Sequence, residues 1–326
     1  MYPRVARQLI FVQKRLLNAV ARMTSPIEEW ENSGDINMIF LEGQGRALCS
    51  GADIKAVVEM LEDPSRRNEL KYFVEKFYNV LGFMGEMKTP MISFMDGITS
   101  KLEKRETVNV SDVFTVVGSG YSFSSLSRFS IATENTKVAM PENRFGHFVD
   151  AASSFYLPRV NGNLGKYMAL TAAVIKAEDV LLSGLATHFV PSDKLDFVHE
   201  SLVNLYQPSC NTINETIKKF SIKVDDIPAS DILQYENMNT IKRCFQFDTV
   251  PEIFEALEKE GSKFAQETMD QMHLGSPISL ALTLEHHRRG SMLPLAQCLQ
   301  LEHHSWGISP YQPDFYEGMS ILKKKS

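Results

Sequence analysis

Cysteine is scarce and scattered. Cys49, Cys210, Cys244 and Cys298 are the only four in 326 residues, and no two stand at CxxC spacing. That excludes a disulfide-stapled secreted scaffold and a zinc ribbon, and it fits free thiols in a reducing compartment. The chain also lacks any apolar run of about 18 residues, so no membrane-spanning helix is expected. Positive charge is not in excess. A net charge of −6 sets aside broad affinity for nucleic acid or an anionic membrane, so a phosphate-bearing ligand has to be met by local Lys and Arg. Acidic residues are missing before Glu28, while Arg4, Arg7, Lys14, Arg15 and Arg22 are present. An Arg-rich, acid-poor start resembles an organelle transit peptide. The same stretch reads equally as the first basic strand and helix of the fold, which is the plainer account. What remains is ordinary: 44% hydrophobic and 23% charged residues describe a globular chain long enough for one large domain or two.

The pattern along the chain is layered. Asp35 to Leu41 reads as a strand entering the turn Glu42-Gly43-Gln44-Gly45. A helical stretch from Asn68 to Leu81 precedes a second strand, Met91 to Met95, that ends at Asp96-Gly97. Two further strands, Ser130 to Thr133 and Lys137 to Met140, flank the polar turn Glu134-Asn135-Thr136. Strands alternating with amphipathic helices predict an α/β architecture with helices covering a sheet. From about Lys194 the spacing is helical only, as in Pro251–Glu260 and Pro277–His287. A boundary near residue 200 is therefore expected, with a core over 1–200 and a helical region over 201–326 packed on it.

Three segments carry chemistry. Arg46-Ala47-Leu48-Cys49-Ser50-Gly51-Ala52-Asp53-Ile54-Lys55 follows a strand and turn. Its small residues admit a ligand close to the backbone, Asp53 can cap a helix beginning at Ile54, and amides at such a junction can face a carbonyl oxygen. Val117-Gly118-Ser119-Gly120-Tyr121-Ser122 is a second small-residue loop opening a helix. Two such loops can each supply one N–H to a developing oxyanion. In Met140-Pro141-Glu142-Asn143-Arg144-Phe145-Gly146-His147-Phe148-Val149-Asp150 a carboxylate stands just past a strand end, with Asp150 as an acidic partner. Each segment alone also reads as an ordinary capped turn, surface loop or helix start.

Their order, taken with Leu17-Asn18-Ala19, Phe94-Met95-Asp96-Gly97-Ile98-Thr99, Phe155-Tyr156-Leu157-Pro158-Arg159, Gly184-Leu185-Ala186-Thr187-His188-Phe189-Val190, Ser276-Pro277-Ile278-Ser279-Leu280 and Asp314-Phe315-Tyr316-Glu317-Gly318, resembles the crotonase (enoyl-CoA hydratase/isomerase) superfamily. The resemblance is strongest to its branch that hydrolyses 3-hydroxyisobutyryl-CoA. It implies an α/β, crotonase-like (ClpP/crotonase) core of stacked ββα units with a helical C-terminal region, an acyl-CoA substrate, no cofactor and no metal. It also implies a mitochondrial setting in valine breakdown. By the same resemblance the backbone amides of Ala52 and Ser119, with Gly118 and Gly120 beside them, form the oxyanion hole. Glu142 is then the catalytic carboxylate, as nucleophile or as base for water, and Asp150 assists. Hydratases of the superfamily carry a second Glu where this chain has Ser122, which points away from hydration. Lys55 reads either as a partner for a CoA phosphate or as a solvated lysine.

The chain departs from the family pattern in places. Ser100 to Val116 is inserted ahead of the glycine loop, whose middle glycine is Ser119. Phe77 stands where an acid is expected, although Glu75 is close by. Ala151-Ala152-Ser153-Ser154 replaces a glycine-rich stretch. These departures keep open a second expectation, a catalytically weak homologue serving as a structural or interaction subunit of a mitochondrial assembly, and enoyl-CoA hydratase activity is the third. Leu284-Glu285-His286-His287 and Leu301-Glu302-His303-His304 place their histidines adjacent, about 100° apart on a helix, unlike the i, i+4 pair of a zinc-binding helix. His147 and His188 read as structural histidines. No oligomer interface is legible.

Overall fold

A computed structural model describes residues 16–43, 54–96, 116–117, 119–223, 230 and 232–318. Its contacts divide the chain into two units. In the first, a four-stranded sheet is built from β1 (Ile39–Glu42), β2 (Met91–Met95), β4 (Phe129–Ala132) and β7 (His188–Phe189), in that order and all parallel. Register follows from Ile39 opposite Met91 and Ile92 opposite Phe129. β2 and β4 are apolar or small and buried at every position rather than alternating, as expected of parallel strands covered on both faces. Met38, Phe40, Ile92, Phe94, Phe129 and Ile131 meet Val198 and Leu202 of helix α8 (Leu195–Val203) and Ile213 and Ile217 of α9 (Cys210–Lys218) in one core. Burying each such side chain contributes about 2 kcal/mol.

The smaller sheet holds β3 (Val116–Val117), β5 (Lys137–Ala139) and β6 (Ile175–Lys176), with β5 and β6 antiparallel. The short helix α7 (Glu178–Leu182) joins β6 to β7. The polar turn between β4 and β5 is pinned. The Thr133 hydroxyl and the Asn135 amide both donate to Asp96, and the Thr136 hydroxyl donates to the Met95 carbonyl at 2.6 Å. Helix α1 (Leu16–Ser33) is tied to the start of β2 because the Glu31 carboxylate accepts the amides of Lys88 and Thr89. Met91–Met95 has the bounds its sequence predicts. The first strand lies later than expected, at Ile39–Glu42: Ser33, Gly34 and Asp35 form a hydrogen-bonded turn with Gly34 at φ +68°.

The second unit is mainly helical. It contains α2 (Ile54–Glu62), most of α3 (Arg67–Glu86), α5 (Ser153–Tyr156), α6 (Leu164–Thr171), α10 (Tyr235–Cys244), α11 (Val250–Glu260), α12 (Lys263–His273), α13 (Pro277–Gly290) and α14 (Leu295–Trp306). The helix starts are written in the sequence: Thr249, Ser262 and Ser276 each accept an amide three residues on, and Pro follows the cap in α11 and α13, where its missing N–H is no loss. Gly261, at φ +64°, ends α11. α13 runs through the middle against α5, α6 and α14. Among the described residues no strand follows Phe189, and no helix is long and apolar enough to cross a membrane.

Candidate active site

Glu142 lies three residues after the end of β5 and opens a short 3-10 turn, Glu142–Phe145, that ends at Gly146 in a left-handed conformation (φ +76°). Only glycine fits there: a Cβ would lie 2.2 Å from the Asp314 carbonyl oxygen. The turn is fixed by its neighbours. Asn143 donates to the Ala169 carbonyl and accepts from the Thr283 hydroxyl, and its own carbonyl accepts the Ser276 amide at the cap of α13. Arg144 donates to the Thr171 carbonyl.

The Glu142 carboxyl is buried, and its Oε2 has no hydrogen-bond partner among the described residues. Burial pushes its pKa well above the usual carboxylate range, and the charge on Asp150 raises it further. Glu142 and Asp150 lie in the same unit. Asp150 has a built environment of its own. The Trp306 indole N–H donates to its Oδ2 at 2.7 Å, and His147 Nε2 stands 3.6 Å from the same oxygen. His147 Nδ1 is 3.1 Å from the Ser309 hydroxyl, and its ring is bounded by Phe148, Trp306 and Phe315.

Directly after Asp150 the backbone makes an unusual turn, with Ala151 and Ala152 both left-handed at φ 59° and 67°. Each such alanine carries roughly 1 kcal/mol of strain. A fully buried carboxylate, Glu302, accepts the amides of Ala152 (2.7 Å) and Ser154 (2.8 Å), the Ser154 hydroxyl (2.5 Å) and the Tyr78 hydroxyl (3.3 Å). Glu302, Trp306 and Tyr78 all lie far from Asp150 along the chain, and no local signal in the sequence points to them.

Other expected site residues fall as follows. Ser119 is the first residue of α4 (Ser119–Leu126) and Gly120 is buried behind it. The first amides of a helix have no intrahelical acceptor. α4 is anchored by the Tyr121 phenol donating to the Leu185 carbonyl at 2.6 Å and by Ser124 against Ser93 at 2.7 Å. Ser122 is fully buried in α4. Ala52, Gly118, the Lys55 side chain and residues 100–115 of the insertion lie outside the described residues. Phe77 is buried on α3 against Phe73 and Tyr78.

Three further histidines, His188, His286 and His287, are buried. His286 Nε2 is 2.9 Å from the Ser305 hydroxyl, and burial pushes the pKa of His286 down to about 4 and of His287 to about 3. His188 shares a 2.9 Å hydrogen bond with the Thr187 hydroxyl. Among the described residues no cluster of three or more His, Cys, Asp or Glu is placed to hold a metal ion.

The buried carboxyls make stability depend on pH with a definite sign. Burial lifts Glu302 to about 8, with the charge on Asp150 adding to it. Above the unfolded carboxyl pKa of about 4.3 the folded state keeps a proton that the unfolded chain has lost, so stability falls as pH rises towards 8. The two low-pKa histidines act oppositely, but only below about 6.5. Between pH values of about 6.5 and 8, unfolding free energy is therefore expected to fall by about 1 kcal/mol per pH unit on account of Glu302. Urea titrations across that window will show a shallower slope in Glu302→Gln. An unchanged slope would mean that Glu302 does not titrate there.

With this geometry in view, the wider relationships are clear. The chain matches the enoyl-CoA hydratase/isomerase family over residues 15–100 and 106–325. It belongs to that family. It is 32% identical over 313 residues to the mitochondrial 3-hydroxyisobutyryl-CoA hydrolase of Mus musculus, covering 96% of this chain and 76% of the relative. The enzyme of the same name from Dictyostelium discoideum is 32% identical over 87% of this chain and 72% of its own length. Among solved structures, a carnitinyl-CoA dehydratase from Mycobacterium thermoresistibile superposes with a TM-score of 0.80 at 28% identity, covering 95% of this chain and 83% of that one. The crotonase fold expected from the sequence, an α/β core with a helical C-terminal part, is thereby established.

Proposed function

We propose that the chain hydrolyses the thioester of 3-hydroxyisobutyryl-CoA, with water, to 3-hydroxyisobutyrate and CoA, as a step of valine breakdown in mitochondria. The observation that carries this is the buried Glu142, its Oε2 unpartnered among the described residues, in a chain related across nearly its whole length to hydrolases of that substrate. A carboxylate lifted by burial is a stronger base and nucleophile once ionised. Glu142 either attacks the thioester carbonyl, releasing CoA thiol and leaving an acyl-anhydride that water then opens, or removes a proton from the attacking water. Asp150 assists from beside it. The Ala52 and Ser119 amides, with Gly118 and Gly120, receive the charge on the carbonyl oxygen, and Lys55 meets a CoA phosphate. Ser122 favours hydrolysis over hydration, because a hydroxyl without a second carboxylate is a poor acid–base group for adding water to a double bond.

Thiol release from 3-hydroxyisobutyryl-CoA, read with a thiol reagent, is the test, run beside loss of the enoyl absorbance of crotonyl-CoA. Rapid thiol release with no hydration is expected. Hydration without thiol release would overturn the reading, and a folded protein that binds CoA but does neither would be an interaction subunit.

A further inference from the structure

The geometry points to Glu302 and Trp306, one helical turn apart on α14, as positioning residues that together grip the turn bearing Asp150. The inference rests on Asp150 being part of the reaction as proposed above. Residues i and i+4 share a helix face, and this face meets the 150–154 turn at two points. Trp306 donates to the Asp150 carboxylate itself, at 2.7 Å. Glu302 takes the amides of Ala152 and Ser154 and the Ser154 hydroxyl. Tyr78 supports the same carboxylate, and its phenol also hydrogen-bonds the backbone of Ala151.

The grip has a physical reason to exist. Two consecutive alanines at positive φ are unfavourable, and strain of that kind persists only where the surroundings over-determine it. A buried carboxyl group whose oxygens lacked donors would be costly in either protonation state. A turn whose amides converge on one side is the conformation that satisfies it. Carboxylate and turn thus specify each other, and the direction in which Asp150 leaves the turn follows from both. With the Trp306 indole N–H on Oδ2 and the turn behind it held by Glu302, the orientation of the Asp150 carboxylate is fixed from two sides. A shift of about 1 Å in such a group can cost on the order of a hundredfold in rate.

Five variants of the full chain test this on 3-hydroxyisobutyryl-CoA hydrolysis, with folding checked by thermal melts. Trp306→Phe keeps the ring and removes the N–H; Glu302→Gln keeps the shape and removes an acceptor. Each is expected to lower kcat about ten- to a hundredfold with KM changed by less than about threefold. Glycine adopts left-handed angles without cost, so in an Ala151→Gly, Ala152→Gly background the loss caused by Glu302→Gln is expected to shrink at least about threefold. A merely structural role would not give that rescue. Asp150→Asn separates the two ideas. If it is inactive while folded Trp306→Phe and Glu302→Gln keep wild-type kcat, the positioning role is overturned and the role of Asp150 stands. If Asp150→Asn is itself fully active, the role of Asp150 falls and the positioning role falls with it. Should Glu302→Gln fail to fold, Trp306→Phe decides alone.

Discussion

Thiol release is expected to fall at least about a thousandfold in Glu142→Gln, with CoA affinity and melting temperature close to wild type. The size follows from chemistry: glutamine can neither attack the thioester carbonyl nor take a proton from water, and loss of a general base alone costs about a hundred- to ten-thousandfold. The small structural effect follows from the site. Glutamine is nearly isosteric with the buried Glu142 side chain, burial disfavours the charged form of that carboxyl, and no hydrogen bond to Oε2 is lost because it has none among the described residues. Wild-type activity is also expected to climb with pH as Glu142 loses its proton, since only the ionised form is reactive. Single-turnover assays across pH check both points. A variant retaining more than about a tenth of the wild-type rate would remove Glu142 from the chemistry.

Gly290→Ala is expected to destabilise the protein by about 3 kcal/mol or more. Gly290 ends α13 where that helix passes α5, and a Cβ there would lie 1.8 Å from the Ser154 carbonyl oxygen and 2.6 Å from its carbon. Those are backbone atoms, and they cannot swing aside as a side chain does. Relief requires the helix to back away from the turn that Glu302 holds. Overpacking of this kind costs about 1–3 kcal/mol even where side chains can yield. Gly82→Ala on α3 is the matched control: its nearest neighbour is the Leu299 Cδ1 methyl at 3.7 Å, an ordinary contact. Alanine there should stabilise by about 0.5–1 kcal/mol through helix propensity. Denaturant midpoints moving in opposite directions confirm the packing argument. Equal and small effects would show that α13 and α5 are not in such intimate contact.

Much of this is legible in the chain, and the limits have physical causes. The bounds of β2 follow from a five-residue apolar run between polar turns, and α13 begins where Ser276-Pro277 says it should. Glu142 and Asp150 stand out because a carboxylate beyond a strand end is a local pattern. β6 and β7, of two residues each, are too short to leave a periodic trace. Glu302 is invisible for a different reason. Its neighbours in sequence, Leu301 and the His303-His304 pair, suggest at most a metal, whereas its partners lie 148 and 150 positions away. The Ala-Ala-Ser-Ser departure reads as a lost glycine turn, yet the backbone keeps the left-handed angles with alanine in place. Composition alone could not say that a distant carboxylate holds them there.

The same long separations bear on how the protein comes into being. Trp306 meets Asp150 across 156 residues, Thr283 meets Asn143 across 140, and Ser309 meets His147 across 162. A ribosome adding about 5–20 residues per second therefore exposes Glu142 and its loop for many seconds before α13 and α14 exist to enclose them. Contacts this far apart in sequence form late and slowly. Throughout that interval the nascent chain carries the loop without the partners that enclose it, and the site is completed only by its last helices.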